Sequence, residues 1–166
     1  MNRRVTFHFL LLIAAGLLAT GCATPFDIGT ADRRTTPQEA VADFAAVRNR
    51  TVAWGGVIMA AKNLKQNTQF EVLGYPLDSD NRPDRDARPL GRFLIVHPGY
   101  FETGDYAPGR RVTVVGKVTE TRTGTIGEAL YTYPVVAAER LHLWPREYRE
   151  RREPSFHIGI GVGIIR

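Results

Sequence analysis

Only one cysteine, Cys22, occurs in the 166 residues, so no intrachain disulfide can staple the fold. Serine is nearly missing as well. Ser79 and Ser155 are the two, and neither sits in the glycine elbow that presents a nucleophile, which argues against serine hydrolase chemistry. The one long apolar run, Phe9 to Leu18, is about half of the ~20 residues a helix needs to cross a bilayer's hydrocarbon, so no permanent transmembrane helix is expected. A strong excess of one charge is lacking too. Lys and Arg outnumber Asp and Glu by 22 to 17, and setting aside Arg3 and Arg4 in a leader leaves 20 to 17. That balance falls short of the concentrated positive stripe that nucleic-acid backbones select. Turn-forming residues are plentiful: 16 Gly and 10 Pro, in a chain that is 43% hydrophobic, favour one turn-rich β domain over a helical bundle.

Residues 1–21 have the layout of a signal peptide: a cationic start, the apolar run, and the small-residue exit Ala19-Thr20-Gly21. Leu18-Ala19-Thr20-Gly21-Cys22 resembles the bacterial lipobox, with Ala19 in place of the usual leucine. The resemblance implies cleavage between Gly21 and Cys22, a covalent diacylglycerol on the Cys22 thiol and a third acyl chain on its amine, with no other cofactor. Each buried methylene contributes about 0.8 kcal/mol, so more than one chain makes a stable membrane anchor. Ala23, where aspartate is associated with inner-membrane retention, points to the outer membrane. Residues 22–35 lack an apolar period and read as a flexible tether.

A domain over 36–144 follows, mainly β with one short helix. Thr36-Pro37-Gln38-Glu39 is a capping box with proline at the first helical position, and Val41, Phe44 and Ala45 form an apolar stripe. Strand periodicity then takes over: residues 51–61, with Gly55-Gly56 permitting a sharp bend, then 69–77, 92–96, 111–118 and 131–143. Gly116 inside the fourth strand marks a bulge or barrel corner. Five strands with interior glycines predict a small closed OB-like barrel with the helix at one end, ahead of an open meander, and no long exposed edge.

Several stretches together resemble the Slp family of outer membrane lipoproteins. They are Trp54-Gly55-Gly56-Val57, Asn63-Leu64, Leu77-Asp78-Ser79 with Arg82-Pro83, Gly91-Arg92-Phe93, and Pro108-Gly109-Arg110 running into Val112 to Gly116. Ile126-Gly127-Glu128, leading to Tyr131 through Val136, and Leu143-Trp144 complete the set. The resemblance spans roughly Val52 to Trp144 plus the lipobox. It implies an anchored, periplasm-facing envelope protein with a structural or binding role tied to stress or starvation, and it carries over no catalytic residue.

Asp78 to Asp86 mimics a calcium loop but puts Pro83 at the sixth position and Pro89 at the twelfth, where glycine and glutamate belong, and so reads as a solvated loop. His97, His142 and His157 lack metal-ligand spacing, so no metal is expected. Phe93, Tyr100, Phe101 and Tyr106 offer stacking rings, but Glu102 and Asp105 beside them would repel phosphates, which argues against nucleic acid. Trp54, Glu128, Tyr131 and Tyr133 are the candidate binding residues for a small ligand or polysaccharide. Tyr131 and Tyr133 share a strand face, and the plainer reading packs them on the barrel. Residues 145–166 pair opposite charges four apart and then alternate glycine with Phe156, Ile158, Ile160, Val162 and Ile164. That strand either docks an envelope protein, a second copy or the membrane, or covers the domain's own core. The expected protein is not an enzyme; its partners are the membrane and an envelope protein or polysaccharide, and its oligomeric state is open.

Overall fold

A computed structural model describes residues 26–146. The signal peptide, Gly21 and Cys22, and the charged segment and glycine-alternating strand beyond Arg146 lie outside the described residues. Five strands, β1 (Thr51–Asn63), β2 (Asn67–Tyr75), β3 (Arg92–Pro98), β4 (Arg111–Ile126) and β5 (Ala129–Leu143), close into a barrel in the order β1-β2-β3-β5-β4. Neighbours run antiparallel except β3 and β5, which close the barrel in parallel through Leu94–Val96 against Val135–Ala137. This is the closed five-stranded barrel expected from five strands with interior glycines, not the open meander.

β1 serves both halves of the barrel. Thr51–Val57 pairs with β4 and Gly55–Asn63 with β2, so Gly55, Gly56 and Val57 are bonded on both sides. A strand shared this way must coil steeply, and the two glycines remove the side chains that would resist it. The register shift in β1 comes just beyond, between Ile58 and Ala60. In β4 a second shift falls between Val115 and Gly116, at the predicted corner. A Cβ on Gly56 would lie 2.1 Å from the Leu73 carbonyl oxygen, and one on Gly116 would lie 2.2 Å from that of Ala137. Both neighbours are backbone and cannot rotate away.

The inward residues fill the interior: Val52, Trp54 and Ile58 from β1, Phe70 and Val72 from β2, Phe93 and Ile95 from β3, Val112, Val114 and Val118 from β4, and Val136 from β5. Phe101 and Tyr106, in the connection between β3 and β4, pack edge-on and tilted against Phe70 and add a ring layer. Burial pushes the Tyr106 phenol up from its ordinary pKa. The helical segment before β1 packs Ala40 and Val47 into the same core.

That segment is two short helices, α1 (Pro37–Ala42) and α2 (Phe44–Val47), where one was expected. The capping box forms as read: the Glu39 N–H donates to Thr36 Oγ1 at 3.2 Å, and the Thr36 N–H donates to Glu39 Oε2 at 2.8 Å. The bond from the Thr36 backbone, joined by its hydroxyl, holds the Glu39 carboxyl below the usual range. Asp43 leaves helical geometry and caps α2 by accepting the Ala46 N–H, which changes the helical phase. The buried positions are therefore Pro37, Ala40 and Val47, with Phe44 half-buried, while Ala45 of the expected stripe is exposed.

β4 also runs eight residues past its expected end, through Thr119 to Ile126, and joins β5 by a tight turn at Gly127 to make a long hairpin arm. Among the described residues no helix is long and apolar enough to cross a membrane.

The two backbone contacts make a direct prediction. Gly116→Ala should lower the unfolding free energy in urea by about 3 kcal/mol, the upper range for forcing extra volume against rigid neighbours. A loss below about 1 kcal/mol would show that the corner tolerates a side chain.

Candidate functional site

The four candidate binding residues do not converge. Trp54 is 4% exposed, lies edge-on to Phe93 at 5.3 Å between ring centroids, and donates its indole N–H to the Thr35 carbonyl at 2.7 Å. Glu128 is exposed at the tip of the β4–β5 arm. Tyr131 and Tyr133 do come together, with centroids 4.7 Å apart on the outer face of β5. The Tyr131 hydroxyl accepts the Arg92 N–H at 2.8 Å. Tyr133 is buried with Leu94 and Val135 and donates to Glu71, which also pairs with Arg92. Burial first, and the Glu71 carboxylate second, raise the Tyr133 phenol above its ordinary pKa. Both hydroxyls are thus engaged within the fold, and the rings pack on the barrel.

The aromatic residues considered for stacking bases divide in the same way. Phe93 is fully buried, and Phe101 and Tyr106 pack against the core. Tyr100 alone of the four is largely exposed, its hydroxyl bonded to the Lys65 carbonyl. Among the described residues no group of three or more His, Cys, Asp or Glu side chains is placed to hold a metal ion.

What the structure does assemble is one side of the barrel where the chain enters. Residues 26–35, expected as part of the tether, run along the barrel and are fastened to it. Asp32 bridges Val52 in parallel, its N–H donating to the Thr51 carbonyl at 3.0 Å and its own carbonyl accepting from Ala53 at 2.9 Å. Its carboxylate accepts the backbone N–H groups of Arg34 and Thr35 and the Thr35 hydroxyl, with the Arg50 guanidinium 3.5 Å away. The Thr35 hydroxyl is the largest influence holding the Asp32 carboxyl below the usual range. Arg33 donates to Asn81 and to the Leu77 and Asp78 carbonyls, and Asn81 donates to the Phe26 carbonyl.

Phe26 stacks on His142 at 5.1 Å, and His142 packs edge-on against Trp144 at 4.4 Å. Burial holds the His142 imidazole below its ordinary pKa, so it stays neutral between the rings at pH 7. Arg140 lies over Phe26 and Arg82 over Trp144. Trp144 donates to Thr113 Oγ1, which donates to the Asn81 carbonyl. The loop after β2 is therefore partly packed on the barrel, through Asn81 and Pro83, where a wholly solvated loop was expected. Asp78 ties the loop internally by accepting the Asp80 and Arg82 N–H groups.

Beside Trp144 opens a cleft of about 370 Å³, lined by Arg85, Arg110, Arg111 and Arg146 with Pro108 and Pro145. Arg110 is held in it by donating to the Asp105 and Trp144 carbonyls at 2.6 and 3.0 Å. Sequence reading missed this cleft because its arginines come from three separate segments; Arg110-Arg111 next to a strand start was the only local signal.

A sequence profile of the outer membrane lipoprotein Slp family matches residues 19–160. An uncharacterized protein of Haemophilus influenzae is 32% identical over 153 residues, covering 87% of this chain and 78% of that protein. The uncharacterized lipoprotein YeaY of Escherichia coli is 29% identical, over 77% of this chain and 67% of that protein. The outer membrane protein Slp of Escherichia coli is 26% identical, over 81% and 73% respectively.

Asp32 gives the test of the fastened segment. Asp32→Asn removes a charge-assisted acceptor and should cost about 1–2 kcal/mol at pH 7. Because the folded carboxyl titrates below the ordinary carboxylate range, this stabilisation is complete above that range and lost as pH falls through the lower folded value. Urea curves of the two proteins should therefore converge in strong acid. A gap that persists unchanged with pH would contradict the role given to the carboxylate.

Proposed function

Because the chain belongs to the outer membrane lipoprotein Slp family, we propose that acyl chains on Cys22 hold it at the outer membrane, facing the periplasm, in a non-enzymatic structural or binding role in the envelope, exercised under stress or starvation. The observation that carries the surface role is the filled barrel. Trp54 and Tyr133, two of the residues a ligand pocket would have used, are packing groups at 4% exposure, and the polar ends of Tyr131 and Tyr133 are bonded inside the fold. Contacts are then made by the outer surface. Tethering makes weak contacts effective, since a partner in the same envelope layer meets the barrel at a high effective concentration.

The anchor is tested by mass and by location. Protein extracted from membranes should begin at Cys22 and exceed its sequence mass by a diacylglycerol and an acyl chain. Cys22→Ser should incorporate no labelled palmitate and disappear from the outer-membrane fraction. An unmodified cysteine in outer-membrane material would contradict the proposal.

A further inference from the structure

We propose that the arginine cleft binds the phosphate of anionic lipid headgroups and so docks this side of the barrel onto the leaflet that holds the anchor. The inference rests on acylation of Cys22, and three observations lead to it.

The first is distance. Phe26 is four residues beyond Cys22, and four extended residues span at most ~14 Å. With the Phe26 carbonyl bonded to Asn81 and its ring on His142, the barrel is fastened almost at the anchor, and the fastened side must lie close to the headgroups. The second is contiguity. His142 contacts both Phe26 and Trp144, and the Trp144 carbonyl accepts from Arg110 inside the cleft. The entry point of the chain and the cleft are therefore two ring contacts apart.

The third is charge. Four arginines line the cleft, and among the described residues no carboxylate does. Arg85 and Arg146 are exposed, while Arg110 and Arg111 are half-buried, Arg110 held by the Asp105 and Trp144 carbonyls and Arg111 donating to the Pro83 carbonyl at 3.5 Å. Asp78, Asp84 and Asp86 line an adjoining hollow of about 180 Å³ together with Arg82, Arg85 and Arg111. They moderate the field on that flank, and on the Arg110–Arg146 side the described lining residues are positive. Guanidinium forks match the oxygen geometry of phosphate. A headgroup is also the one phosphate that the anchor itself holds beside the cleft, at an effective concentration that no freely diffusing anion shares.

The test uses the mature chain, residues 22–166, carrying Cys22→Ser and no acyl group, in sedimentation with vesicles of phosphatidylcholine alone or mixed with phosphatidylglycerol. Binding should require phosphatidylglycerol and weaken with salt. The pair Arg85→Gln and Arg146→Gln, two exposed side chains whose loss should leave thermal unfolding unchanged, should bind roughly 30-fold more weakly, about fivefold for each charge at an anionic surface. Lys65→Gln with Lys117→Gln, the same charge change outside the cleft, should stay within about twofold of the parent. Equal binding to both vesicles, or an arginine pair that binds like the parent, overturns the proposal. Cleft-dependent binding of inorganic phosphate in a protein whose vesicle binding does not depend on the arginine pair overturns it as well and makes the cleft a free-anion site. Acylation plays no part in this measurement, so its failure would leave the anchor standing, and failure of the anchor would leave this result readable.

Discussion

Closure of the barrel depends on two places where one backbone lies directly against another. At Gly56 and Gly116 the neighbouring carbonyl occupies the volume a side chain would need, and this approach lets β1 turn between its two partners and lets β4 change register against β5. Closure pairs β1 on both sides, yet beyond Lys117 the arm of β4 pairs with β5 alone, so the expected absence of a long exposed edge does not hold there. For a protein crowded at a membrane surface that matters, because free edges are templates for pairing with a neighbouring copy. Closure also fixes what the interior can hold. The space is small enough that valine, isoleucine, phenylalanine and one tryptophan fill it, so the contacts proposed above fall to the outside.

The outside is not uniform. One region is covered by the protein itself: Tyr131 and Tyr133 with Leu94 and Val135 form a second apolar cluster on β3 and β5, sealed at its rim by Glu71 and Arg92. Another gathers the incoming chain, the loop after β2 and the end of β5 around Asn81, His142 and Trp144. Asn81 is central there, with its side chain joining Phe26 and Arg33 and its carbonyl accepting from Thr113. The chain thus reaches its fold within four residues of Cys22, the proposed anchor site. Under the proposed acylation of Cys22, a domain fastened so early turns one face toward the lipid, and that face carries the arginine cleft. Orientation and charge belong to one arrangement.

Much of the architecture was legible because it is written in local rules. Alternation over β2, the glycines of β1 and β4, and the Thr36 to Glu39 capping box each depend on a few adjacent residues. The far half of β4 was not legible: Thr119 to Thr125 is polar on both faces, and its pairing is imposed by the Gly127 turn and by β5. The break at Asp43 was hidden because a lone aspartate in a helical pattern looks like a surface residue until its side chain is seen capping Ala46. The candidate site was less legible still. That Tyr131 and Tyr133 share a face follows from strand period, but their burial depends on Glu71 and Arg92, brought from distant strands. The fastening of residues 26–35 rests on single hydrogen bonds from Asp32, Arg33 and Asn81, which leave no periodic trace.

The central claim is that the barrel sits against its leaflet and does not hang from a long tether. Neutron reflectivity of the acylated protein on a supported bilayer measures this distance. The account predicts protein density beginning within ~15 Å of the headgroups, the reach of the four residues before Phe26. A hydrated gap approaching ~45 Å, the span of a free segment from Cys22 to Thr35, would contradict it.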